Sequence, residues 1–253
     1  MSTESKQNKI AWEYRAYEFW NSRNTPDELA KYIVNDPAAR LRYHQKYFND
    51  VHKKKIINPC GSNGRKAVPL ALLGADVTIF DISSENKRYA MELAACAGVK
   101  IEYEVCDFCQ LPLDKYNDYF DIAYAEGGIL HYFHDIDKFM NTLFSILKHG
   151  GKLILSDFHP FRKILRTGSA MMSVKQTEGD YFDCQAHNGD VAYKTFFPKD
   201  EQANFPDTYM RFYTISEIIN AVIRAGFILQ EFNEHPNFKN KLLPGEFTIY
   251  AVK

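Results

Sequence analysis

A turn of small residues, two acids and two histidines carry what chemistry this chain of 253 residues has to offer. The turn is Cys60-Gly61-Ser62-Asn63-Gly64, lying between the apolar pair Ile56-Ile57 and a helical apolar pattern that runs from Arg65 to Leu73. Small residues at such a junction let a backbone approach a ligand closely. Asp81 closes a second apolar run, Val77, Ile79 and Phe80, with Ile82 next to it. A carboxylate at the end of a buried strand suits a ribose, because one carboxylate accepts hydrogen bonds from both hydroxyls. His131 and His159 each follow a later apolar run, and imidazole is the side chain able to take a proton from a hydroxyl or amine near neutrality. His134 is a third histidine of the group, but it adjoins Asp135, a helix-capping residue. Cys106 and Cys109 make a lone C-x-x-C. Zinc needs two further ligands and none is suitably spaced, so no metal site is expected.

These residues need a scaffold, and the apolar periodicity supplies one. Lys55 to Ser83 reads as strand, turn, helix, strand, with Gly74 ending the helix. Pro69 falls inside that helix and either delays its start or kinks it. Ser83 or Ser84 caps a helix striped by Tyr89, Leu93 and Ala97 and stopped by Gly98. Val99 to Val105 alternates apolar and polar, which marks a strand near a sheet edge, and Asp107 follows it. Tyr119 to Glu126 is a fourth strand, Gly127-Gly128 turns out of it, and Asp135 opens a helix striped by Ile136, Phe139, Met140, Leu143, Phe144 and Leu147. Lys152 to Asp157 is a fifth strand. Thr214-Ile215-Ser216-Glu217 is a capping box, and Phe227 to Asn233 and Glu246 to Val252 close the pattern as strands.

Two stretches lie outside this alternation. Residues 1–54 are helical and aromatic, with Thr25-Pro26-Asp27-Glu28 and Asp36-Pro37 as helix starts. Residues 158–213 are too long for a plain connection and too aromatic for disorder, and read as a lid over the substrate, with a hairpin around Asn188-Gly189. A net charge of −1 leaves no basic field for nucleic acid. No apolar run is long enough to span a membrane, the first residues lack a signal-peptide core, and five scattered cysteines fit a reducing cytoplasm. A small molecule is the expected partner, and oligomeric state is left open.

The stretch from Lys55 to Asp157, resumed from Thr214 to Lys253, resembles class I S-adenosylmethionine-dependent methyltransferases. Their glycine turn follows a strand-terminal acid and carries three alternate glycines. Here Asn58 stands for the acid, Cys60 and Ser62 for the first two glycines, and Gly64 matches the third. The resemblance implies a doubly wound, Rossmann-like α/β sheet of seven strands in the order 3-2-1-4-5-7-6, organised as a helical cap (1–54), a cofactor-binding core (55–157), an inserted lid (158–213) and closing elements (214–253). It implies S-adenosyl-L-methionine as cofactor, with Gly61, Ser62, Asn63 and Gly64 at its turn and Asp81 and Ile82 at the ribose. Asp107 and Phe108 fall at the adenine, and Glu126, Gly127 and Tyr132 where cofactor and acceptor meet. Trp12, Tyr17 and Trp20 of the cap would cover the cofactor, since a sulfonium cation benefits from aromatic faces. Methyl transfer to a small molecule follows, with His131 and His159 as candidate bases. A non-catalytic S-adenosylmethionine sensor is the alternative, and a nicotinamide oxidoreductase is disfavoured by the absent pyrophosphate fingerprint.

Overall fold

The computed structural model describes residues 1–164 and 179–253. The expected lid therefore falls partly, at 165–178, outside the described residues. Among the described residues a seven-stranded sheet runs in the order β3-β2-β1-β4-β5-β9-β8, the order expected from the resemblance. Its parallel members are β1 (Lys55–Pro59), β2 (Asp76–Asp81), β3 (Glu102–Val105), β4 (Phe120–Glu126) and β5 (Leu147–Phe158), and β9 (Pro244–Val252) pairs antiparallel with both β5 and β8 (Ile228–Pro236). Alternate strand residues feed opposite faces. Ile56, Ile79, Tyr124 and Ile154 pack with α4 (Ala67–Leu72) and α5 (Ser84–Cys96). Ile57, Phe80, Ala123 and Leu155 face α7 (Ile136–Ile146) and α8 (Ile215–Arg224). Where both faces are covered, the inner parallel strands carry continuous apolar runs, while the edge strand β3 alternates.

The local signals translate directly where one side chain decides the geometry. Thr25 caps α3 (Pro26–Asn35) and Thr214 caps α8, each in a reciprocal box with the glutamate three residues on. Pro69 causes no kink. The first core helix starts only at Ala67, so Pro69 lies in its first turn, where its missing N–H leaves no bond unmade.

Two expectations need correction. Asp36-Pro37 opens a 3-10 segment, Ala38–Tyr47, rather than an α-helix. Asp36 still accepts from the Ala39 N–H, but the chain kinks at Arg42, with φ 55° and ψ −133°. Asn188-Gly189 is not a hairpin turn. It ends β6 (Ala186–Gly189), which pairs with β7 (Thr208–Arg211) across a long connection.

The helical N-terminus and the insertion share one core. Phe19 of α2 (Ala16–Arg23), Ala11 of α1 (Thr3–Glu13), and Val191, Tyr193 and Phe205 of the insertion are buried against each other. The Tyr193 ring stacks on Phe19 at 4.9 Å, and its hydroxyl donates to the carbonyls of Ala11 and Tyr14. Asn8 completes the join by pairing with the backbone of Tyr209 through both its amide atoms, at 3.0 and 2.7 Å.

Candidate active site

A cavity of about 720 Å³ opens at the carboxyl ends of β1, β2 and β4 and is roofed by α1, α2 and the insertion. This is where doubly wound sheets bind ligands. Its floor is the turn after β1. Cys60 and Ser62 both adopt left-handed backbone, with φ of 52° and 49°, at the first two glycine positions of the motif the chain resembles. The turn thus keeps a glycine-type path without glycine at those positions. Gly61 serves a different purpose: a Cβ there would lie 2.5 Å from Asn58 Oδ1 and 2.9 Å from Ile79 Cγ2. Gly64 faces away from the cavity, where a Cβ would meet that of Ala90 on α5 at 2.9 Å. Left-handed backbone costs an L-residue about 1–2 kcal/mol, against which glycine adds about 0.5–1 kcal/mol of chain entropy. Ser62→Gly is accordingly expected to raise the unfolding free energy by up to about 1 kcal/mol in denaturant titrations. A loss of stability would show that the serine side chain, not the backbone path, is what the turn needs.

Asp81 sits at the centre of the wall. Its Oδ2 accepts from the Ser62 N–H and its Oδ1 from the Ser83 N–H, both at 3.0 Å, so that one carboxylate ties the turn to the start of α5. Burial pushes its pKa up, and the N–H groups of Ser83 and Ser62 oppose that rise. Asn86 lies against the same carboxylate and accepts from the indole N–H of Trp20 at 2.8 Å, which seats that ring over the cavity. Asp107 accepts from the Cys109 N–H at 3.1 Å and, with the buried Phe108, lines the neighbouring wall beyond β3. Cys106 and Cys109 are held as inert thiols, burial pushing each up to about 12. Among the described residues no group of three or more His, Cys, Asp or Glu is arranged to hold a metal ion.

The loop after β4 supplies the third wall with Glu126, Gly127, Gly128, Ile129 and Tyr132. Asp157, at the end of β5, fixes that loop by accepting the N–H groups of Ile129 and Leu130 at 2.9 and 2.7 Å. Burial raises its carboxyl to about 6, against the opposing N–H groups of Leu130, Ile129 and Phe158. Gly128 has φ 78° and lies directly beneath the Phe158 ring, where any Cβ would collide. Trp12 reaches from α1 to the same point, edge-on to Tyr132 at 5.7 Å.

The cavity wall thus includes Trp12, Trp20, Gly61, Ser62, Asn63, Asp81, Ile82, Asp107, Phe108, Glu126, Gly127 and Tyr132 of the expected set. Four expected residues lie elsewhere. Gly64 packs on α5, as described. Tyr17 turns outward, donating to Glu92 at 2.5 Å beneath the Arg88 guanidinium. His131 is away from the wall, stacked on Phe212 at 5.7 Å, with burial holding it down at about 4. Both ring nitrogens of His159 are engaged: Nδ1 accepts from the Phe161 N–H at 3.1 Å and Nε2 meets Glu234 at 2.8 Å. Burial lowers its pKa while Glu234 opposes the shift. Tyr193 and Phe196, from the aromatic segment read as a lid, also line the cavity, together with the unforeseen Arg40, Arg42, Arg65 and Lys66. Only Arg65-Lys66, directly after the turn, had a positional signal.

The site fits S-adenosylmethionine on grounds of its own. Asn58 Oδ1 and Ser62 Oγ are buried at the turn without a hydrogen-bond partner, on residues that line the cavity. Such orphaned polar atoms are costly unless a ligand satisfies them. Comparisons with known proteins agree. Residues 59–155 match the family described as methyltransferase domain. Phosphoethanolamine N-methyltransferase 1 of Arabidopsis thaliana is 32% identical over 130 residues, which cover 51% of this chain and 25% of that protein. The ubiquinone biosynthesis O-methyltransferase of Rickettsia canadensis is 27% identical over 167 residues, covering 64% of this chain and 67% of that one. The match therefore spans only a quarter of the length of the first relative and about two thirds of the second.

Among solved structures, an S-adenosylmethionine-dependent methyltransferase from Mesorhizobium loti superposes with a TM-score of 0.63 at 22% identity, covering 87% of this chain and all of that one (100%). Magnesium protoporphyrin IX methyltransferase from Synechocystis, with bound S-adenosylhomocysteine, gives 0.59 at 15% identity over 99% of both chains. Residues 59–155 thus match a methyltransferase domain, set in the fold that S-adenosylmethionine-dependent methyltransferases share.

Proposed function

We propose that the protein transfers the methyl group of S-adenosylmethionine to a small-molecule acceptor and works in the cytoplasm. The observation that carries this reading is one roofed cavity in which Asp81 and Asp107 mark one end and Gly127, Gly128 and Tyr132 the other. When bound, the cofactor supplies a carbon already activated by its sulfonium. The chain's residues then have to hold the cofactor, exclude water and align the acceptor, which is catalysis by positioning. Asp81 would hold the ribose and Asp107 the adenine, while Trp12 and Trp20 close the roof. His131 and His159 stay a weaker proposal for a base, since neither reaches the cavity wall. Among the described residues no helix is long and apolar enough to cross a membrane. A labelled-methyl assay against fractionated metabolite pools tests the reading. Label transferred to a small molecule supports it, whereas tight cofactor binding with no transfer to any fraction would make the protein a sensor.

A further inference from the structure

Asp81 and Asp107 lie at the adenosine end, while Arg40, Arg42, Arg65 and Lys66 gather at the end beside Gly127, where Glu126 is the one acid among the described wall residues. Lys66 is buried, donates to the Arg40 carbonyl at 3.0 Å and pairs with Glu126 at 3.2 Å, so these two charges satisfy each other. The arginines are less committed. No ion pair joins Arg65 to any described residue, and its Nη2 lies 3.8 Å from where a Gly127 Cβ would stand. Arg42 lies over the Tyr43 ring at 4.8 Å and has a long contact of 3.6 Å with Glu246, a carboxylate that also accepts from the Tyr43 hydroxyl.

The backbone at Arg42 is a second, independent observation. Its φ of 55° and ψ of −133° belong to the first central position of a type II′ turn, a place dominated by glycine. A large side chain kept in so unfavourable a conformation points to a role for that side chain. The carboxylate of the cofactor would occupy one cation, and more than one is available.

We propose that the methyl acceptor carries an anionic group, a carboxylate or a phosphate, held by the guanidinium groups of Arg42 and Arg65 beside the Gly127-Gly128 turn. This rests on the methyl-transfer reading and narrows its substrate class. Planar guanidinium forks match both anions bidentately, and binding to them weakens with salt.

The test uses full-length protein saturated with S-adenosylhomocysteine. Benzoate and phenyl phosphate are titrated by calorimetry beside their neutral counterparts, benzamide and phenol. At least one anionic probe is expected to bind ten-fold or more tightly than its counterpart and to weaken as salt rises. Arg42→Gly and Arg65→Gln should each lose ten-fold or more of that affinity, while S-adenosylhomocysteine affinity moves less than three-fold. Arg42→Gly should melt at or above the wild-type temperature, since glycine suits the backbone there. Equal binding of charged and neutral probes overturns the proposal. So does a parallel loss of S-adenosylhomocysteine and anion, which would assign the arginines to the cofactor's carboxylate. A lower melting temperature for Arg42→Gly with anion binding retained overturns the role of Arg42. Wild-type protein that fails to bind S-adenosylhomocysteine at all removes the underlying reading instead, and is distinguishable because it appears before any probe is added.

Discussion

Asp81→Ala should weaken S-adenosylmethionine binding by roughly ten- to a hundred-fold, about 1.5–3 kcal/mol, the usual worth of hydrogen bonds to a charged group. The carboxylate also accepts the Ser62 and Ser83 N–H groups at 3.0 Å, so its removal leaves two buried donors unmet and loosens the turn itself. Asp81→Asn separates the two effects. Its carbonyl oxygen can still accept one N–H, but its NH2 group cannot accept from a ribose hydroxyl. The asparagine variant should therefore recover part of the stability and little of the affinity. Calorimetry for the cofactor and denaturant titration for the fold read the two separately. Wild-type affinity in Asp81→Ala would remove Asp81 from the cofactor site.

Tyr193→Ala should destabilise the roof of the cavity by about 3–5 kcal/mol, the range for deleting a large buried aromatic ring. Tyr193 is 1% exposed, stacks on Phe19 at 4.9 Å and meets Trp12 edge-on at 5.6 Å. Tyr193→Phe keeps the rings packed and loses only the hydroxyl bonds to Ala11 and Tyr14, so a cost nearer 1–2 kcal/mol is expected. Hydrogen exchange locates the effect. Faster exchange in α1, α2 and the insertion, with the sheet unchanged, is the expected pattern, accompanied by weaker cofactor binding. Uniformly faster exchange across β1 to β5 would mean that roof and sheet form one cooperative unit.

The sheet was legible in the sequence because each of its elements is specified locally. Ile56-Ile57, the alternation from Val99 to Val105, and the caps at Ser83, Asp135 and Thr214 depend on neighbours close along the chain. Asp81 and Asp107 were legible for the same reason, as acids that end strands. The shared core of α1, α2 and the insertion was not, because Ala11 and Tyr193 meet across 182 positions and neither has a partner in its own vicinity. Tyr17 and Trp20 show the limit on a finer scale. Both are aromatic residues of one helix, yet the left-handed step at Arg15, with φ 55°, precedes α2, and one ring faces Glu92 while the other covers the cavity. The surroundings of the histidines were not legible either. Their chemistry suited a base, but the loop bonds that occupy His159, and the aromatic stacking of His131, follow from tertiary packing that no spacing reports.

The join between Tyr193 and the first helices also bears on the order in which the chain is made. During synthesis α1 and α2 leave the ribosome well before the ring that seats against them, which follows Ala11 by 182 residues. At about 5–20 residues per second, the aromatic face of Trp12 and Phe19 stays without its partner for roughly 10–40 s. The parallel strands β1 to β5 are made in that interval, whereas β8 and β9 follow Tyr193, so the sheet and its roof are both completed late. A nascent chain stalled before residue 193 should therefore present the aromatic faces of α1 and α2 still open to chaperones.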